Sequence, residues 1–153
     1  MFALCSPPTK REPRKTRRPW QQRQEHWKRR RIAMQRARIR NGELEYESHG
    51  TGEPVVFIHG AMAVAFSPLF GETSLRNYRC VTYNRRGFGG STRSARVSVR
   101  EHAQDCHELM RFLGIERAHV VGHSVGVLMA LQLALDHPEQ VHSLSLLETV
   151  LPS

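Results

Sequence analysis

No stretch of this sequence holds the roughly 18 consecutive apolar residues that a membrane-spanning helix requires, and its start lacks the short apolar core and small-residue cleavage site of a secretory signal. No membrane association is expected, and a cytoplasmic protein is. Cysteine is scarce. Cys5, Cys80 and Cys106 are odd in number, form no C-x-x-C pair and stand at no ligand-like spacing from histidine, which argues against a disulfide framework and leaves reduced thiols. The nine histidines supply no linear metal motif. His102 and His107 are five apart, off the i, i+4 spacing that puts two ligands on one helical face. Neither a metal nor a cofactor is expected.

Acidic residues are almost missing from the first forty positions, which hold 14 Lys and Arg against 2 Glu, whereas residues 41–153 hold 9 Arg against 12 acids. The net charge of +9 therefore belongs to one end, and the remainder is mildly acidic. Residues 1–34 are rich in Pro and Arg, with Pro7-Pro8, Pro13 and Pro19 interrupting any helix before the basic run Lys28-Arg29-Arg30-Arg31. So few apolar groups cannot offset the entropy of ordering, and this extension is expected to be disordered. Met34 opens the part that reads as a domain, so the extension also reads as upstream sequence from an incorrectly chosen start. A third reading uses Trp20 and Trp27, seven apart, with the arginines to bind nucleic acid or an anionic surface by stacking and phosphate contact. Nucleic acid is not the preferred partner, because the charge is confined to the extension.

From residue 35 to 153 the chain has room for one domain and not two. Short apolar strands alternate with helical stretches, as a mostly parallel α/β sheet flanked by helices demands. Arg36 to Arg40 and Leu44 to Ser48 flank Asn41-Gly42, a hairpin turn signal that makes them the first, antiparallel strands. Val55-Val56-Phe57-Ile58 is continuously apolar, as a strand buried on both faces should be. Arg79 to Tyr83 is the next strand. Val99 to Leu113 is a helix with Cys106, Leu109, Met110 and Leu113 on one face and Gly114 at its C-cap. Ala118 to Val121 is a strand, Val125 to His137 a helix with Leu128, Leu131 and Leu135 along one stripe, and Leu144 to Leu147 the last strand.

Chemistry concentrates at Gly122-His123-Ser124-Val125-Gly126, a G-x-S-x-G sequence between an expected strand and an expected helix. The sharp turn strains the serine backbone and needs glycine where a Cβ would collide with neighbouring chain. It also sets Ser124 at a helix start, where the local dipole favours developing negative charge. Gly87-Phe88-Gly89 begins like a dinucleotide-binding loop, but Thr92 takes the third glycine position and no helix follows at once.

Two further stretches give the pattern a family. Phe57-Ile58-His59-Gly60-Ala61 and Tyr83-Asn84-Arg85-Arg86-Gly87-Phe88-Gly89-Gly90-Ser91, with the Ser124 turn, resemble in order three motifs of the α/β-hydrolase superfamily, in its esterase, epoxide-hydrolase and haloperoxidase-like branch. Asn84 departs from the usual Asp, and Val127 from a frequent second glycine. The resemblance implies Ser124 as nucleophile and the backbone N–H groups of Val125 and Ala61 as the oxyanion hole. It implies that His59 and Gly60 shape the loop, that Gly122, His123 and Gly126 support the turn, and that Glu148, at the end of the last strand, is a candidate for the acid that orients a catalytic histidine. Asp105 and Asp136 fall on helices and fit neither acid position.

The resemblance also implies that this histidine follows the last strand, beyond Ser153, so that the chain would carry about six of eight expected strands and leave the sixth as an apolar edge. Without a general base the hydroxyl stays protonated and weakly nucleophilic. The expectation is a serine hydrolase for an ester, amide or related small molecule, impaired as this chain and completed by a C-terminal segment, with a pseudoenzyme or tail-mediated binder as the alternative. Epoxide, perhydrolysis and C–C cleavage chemistry stay open at this level.

Overall fold

The computed structural model describes residues 34–61, 66, 69–70 and 72–148. The basic extension, with Trp20 and Trp27, lies outside the described residues.

A six-stranded sheet forms in the order β1-β2-β4-β3-β5-β6. β1 (Gln35–Ile39) and β2 (Gly42–His49) are an antiparallel hairpin, β2 pairs antiparallel with β4 (Tyr78–Tyr83), and the remaining neighbours run parallel. β3 (Glu53–Ile58) is central, between β4 and β5 (Ala118–His123), and β6 (Val141–Leu147) is at the edge. α1 (Val99–Phe112) and α2 (Gly126–Asp136) follow β4 and β5. The mostly parallel α/β architecture is the one the alternation predicts.

The apolar run of β3 is explained by its two faces. Val56 and Ile58 join the large core under α1 and α2, while Val55 and Phe57 join a smaller cluster with Phe66, Phe70 and Cys80 on the opposite face. α1 starts at a capping box: Ser98 Oγ accepts from Glu101 N at 3.2 Å, and the Glu101 carboxylate accepts from Ser98 N at 2.7 Å. It ends before Gly114, whose φ of +66° needs no Cβ, and Ile115 N donates back to Met110 O at 2.8 Å.

Three local expectations change. The hairpin turn centres on Arg40-Asn41, and Gly42 already belongs to β2, opposite Ile39. Glycine is needed there because a Cβ would lie 2.3 Å from Thr92 Oγ1, which accepts from Glu43 N. On α2 the buried stripe is Val127, Met129, Ala130 and Leu133, while Leu128 and Leu131 are half-buried and Leu135 is 77% exposed. The leucine periodicity pointed one turn face too far, because Gly126 and Val127, not Leu128, meet the sheet. Finally, β6 begins at Val141, three residues earlier than its apolar run suggests, since ladder bonding to β5 does not require apolar side chains.

Candidate active site

β5 ends at His123 and the chain turns at once into α2. Ser124 occupies the turn with φ +53°, a left-handed conformation that costs a residue with a side chain roughly 1–3 kcal/mol. Its surroundings fix it there: Ser124 N donates to Leu147 O at 2.9 Å, continuing the β5–β6 ladder, and Val127 N donates to Ser124 O at 3.0 Å. Three glycines make the crossing sterically feasible. A Cβ on Gly122 would lie 2.8 Å from Val127 Cα, one on Gly126 2.4 Å from Ile58 O, and one on Gly60 2.9 Å from Ser124 Cβ. Val127 is thus fully buried without crowding, because Gly122 has no side chain. Gly60 packs on Ser124 and carries Ala61 with it, so the structure brings His59, Gly60, Ala61, Ser124 and Val125 to one end of the sheet, at the C-terminal ends of β3 and β5.

His59 is 2% exposed, and its ring is fully engaged. Nδ1 lies 2.8 Å from Gly60 O and so carries the hydrogen, leaving Nε2 to accept from Arg85 N at 3.0 Å. Burial, with the Arg85 guanidinium adding to it, lowers its pKa from 6.5 to about 4 against the opposing pull of the Gly60 carbonyl. His59 is therefore a neutral strut at neutral pH. Arg85 completes the brace, donating from Nε to His59 O at 3.1 Å and from a terminal nitrogen to Gly60 O at 2.8 Å, with its guanidinium 4.6 Å from the centre of the Phe88 ring. Sequence reasoning did not single out Arg85. Its position beside a second arginine in a loop reads as surface charge, and only the loop's fold shows it 3% exposed under the Gly60 turn.

The rest of that loop is tied down separately. Arg86 binds Asp105 on α1 through two nitrogens on one guanidinium edge, Nε at 3.0 Å and Nη2, with the side chains 10% and 4% exposed. Asn84 donates to Glu45 Oε2 at 3.0 Å, and Gly90 N donates to the same oxygen at 2.6 Å. An aspartate at 84 has no hydrogen to donate to that carboxylate, so the asparagine suits its neighbour.

His123 turns from Ser124. Its Nε2 lies 3.0 Å from Glu148 Oε2, and the Phe66 ring meets its face edge-on with centroids 6.2 Å apart. Glu148 itself has φ +50° and an 82% exposed side chain. Among the described residues no histidine hydrogen-bonds to Ser124 Oγ.

Residues 53–153 match the model of the alpha/beta hydrolase fold family. The chain belongs to that family. A fluoroacetate dehalogenase from Burkholderia sp is 37% identical over 112 residues, covering 66% of this chain and 36% of the relative. A putative carbamate hydrolase, RutD, from Caulobacter vibrioides is 38% identical over 109 residues, covering 66% of this chain and 40% of the relative. Among solved structures, Est816, described as an N-acyl homoserine lactone degrading enzyme, superposes with a TM-score of 0.68 at 30% identity over 75% of this chain and 45% of that one. A hydrolase from Pseudomonas aeruginosa PA01 shares the fold with a TM-score of 0.71 at 22% identity. This α/β-hydrolase chain thus spans less than half the length of each of these relatives, from 36% to 47%. No helix among its described residues is long and apolar enough to cross a membrane.

Proposed function

We propose that this α/β-hydrolase chain supplies the nucleophile and oxyanion-binding half of a serine hydrolase that acts on carbonyl carbon: an ester, lactone, amide or carbamate of a small molecule. The observation that carries the reading is Ser124 held at φ +53° with Gly60 against its Cβ. That arrangement projects a hydroxyl from a strained turn beside two backbone stretches whose N–H groups, those of Ala61 and Val125, serve the developing oxyanion.

The identity of the nucleophile narrows the chemistry among the relatives. Attack by a serine oxygen on a saturated carbon, as halide displacement or epoxide opening requires, would leave an ether that water does not cleave. Attack on a carbonyl leaves an ester that water resolves, regenerating the serine. Ser124 therefore aligns this chain with the carbamate and lactone hydrolases rather than with the dehalogenase. Glu148 is the proposed acid, one carboxylate oxygen on His123 and the group otherwise exposed for a histidine from a complementing segment. Cys80 and Cys106 are buried as free thiols, in keeping with a reducing cytoplasmic setting.

The test is acyl capture. Incubated with an activated ester such as p-nitrophenyl acetate, the chain should gain one acyl mass on the peptide containing Ser124, and Ser124→Ala should not. Added imidazole, standing in for the base, should speed release of that acyl group. Acylation spread over other residues, or equal in Ser124→Ala, would refute the assignment.

A further inference from the structure

The other end of the sheet holds a second cluster. Glu53 opens β3, His119 is the second residue of β5, and His142 is the second residue of β6, so strand adjacency brings three side chains together that lie far apart in sequence. Glu53 Oε1 lies 3.2 Å from His119 Nε2 and 3.7 Å from His142 Nε2, and one ligand atom from each residue falls within 4.8 Å of the others. Four-coordinate zinc with bonds of about 2.0–2.1 Å sets its ligand atoms roughly 3.3 Å apart. The two distances from Glu53 are close to that spacing, and a small turn of the half-exposed His142 ring would close the set on an ion.

Two independent features support a ligand there. His119 Nε2 is buried and makes no hydrogen bond despite its closeness to the carboxylate, while Nδ1 is paired with Ser143 Oγ at 2.7 Å. A hydrogen bond on the far ring nitrogen fixes the ring and its tautomer, as outer partners do for metal-bound histidine, and leaves Nε2 free to ligate. In addition, the β5–β6 ladder slips at this point: Ala118 pairs with Val141 and His119 with Ser143, which leaves His142 as the extra residue of a bulge. Bulges re-aim side chains, and this one sets the His142 ring 4.6 Å from the His119 ring, edge to face.

We propose that Glu53, His119 and His142 bind a divalent transition-metal ion of the zinc class, with water or another small ligand completing its coordination. The site is distinct from the proposed catalytic centre, since His119 and Ser124 stand near opposite ends of β5, about 16 Å apart at the rise of an extended strand. Its role is structural: the ion ties edge strand β6 through β5 to central strand β3. Zinc ion alone, titrated calorimetrically into the full chain at neutral pH after treatment with chelator, should bind at one saturable site in the micromolar range. Glu53 and His142 are about half exposed, so Glu53→Gln and His142→Ala leave the core untouched, and each should weaken binding at least about tenfold. Co2+ should show the visible absorption of a four-coordinate ion in the wild type and lose it in His142→Ala. Zinc should also raise the melting temperature of the wild type and not of His142→Ala. Absence of saturable binding, or binding and cobalt absorption unchanged in both variants, would overturn the proposal.

Discussion

Glu148 Oε2 lies 3.0 Å from His123 Nε2, so the carboxylate that follows β6 grips the histidine that immediately precedes Ser124. The contact joins the ends of two neighbouring strands at the proposed nucleophile and holds the His123 ring toward Glu148. In the proposed mechanism the base for Ser124 approaches from the exposed side of Glu148.

The role of Glu148 is then measurable with imidazole as the incoming base. Glu148→Gln should leave the extent of Ser124 acylation unchanged and slow imidazole-dependent deacylation by about tenfold, the worth of one hydrogen bond to a charged group. An unchanged rate would reduce Glu148 to a tether for His123.

Gly60 should separate activity from folding. In Gly60→Ala the new methyl meets Ser124 Cβ at 2.9 Å and His123 O at 3.1 Å. The expected result is a fall of about 100-fold in Ser124 acylation, since a displacement of about an ångström at a reacting group has that effect. Gly126→Ala meets backbone instead, with Ile58 O at 2.4 Å, and should lower the midpoint of urea unfolding markedly.

The Arg86–Asp105 pair should behave as a buried bridge. Burial pushes the Asp105 carboxyl above its usual range, with Arg86 pulling it back. Asp105→Ala strands a buried guanidinium and should cost about 3–5 kcal/mol in urea unfolding, whereas replacing both residues with apolar side chains of similar volume should restore most of that loss.

Acid should destabilise the fold before the carboxylates titrate. His59 and His102 are both buried, and burial first, then nearby arginines, lowers each pKa from 6.5 to about 4. Between those values the unfolded chain binds more protons than the folded one, so this stability is present above about pH 6.5 and is lost as pH falls toward 4. The full effect is on the order of 3 kcal/mol for each histidine, while the raised Asp105 acts in the opposite direction. Unfolding midpoints measured from pH 7 to 4.5 should fall, and His102→Gln should flatten the curve.

Much of this was legible in the sequence because it rests on local pattern. The uniform apolarity of residues 55–58 announced a central strand, Gly114 a helix end, and the glycines around Ser124 a turn too tight for side chains. What stayed hidden depends on distant partners. Arg85 looks like surface charge until the Gly60 turn folds over it, and Glu53, His119 and His142 have no linear signature because only the neighbour order β3-β5-β6 unites them. The misplaced stripe on α2 has the same origin, since leucine content does not tell which side of a short helix the glycines press against the sheet.

The central place of β3 also has a consequence during synthesis. Its run Val55-Val56-Phe57-Ile58 is flanked by β4 and β5, and β5 emerges from the ribosome only about sixty residues after β3 does. At elongation rates of roughly 5–20 residues per second the growing chain carries that apolar ribbon with one side unpaired for several seconds. For that interval the exposed ribbon is the segment of the nascent chain most open to mispairing.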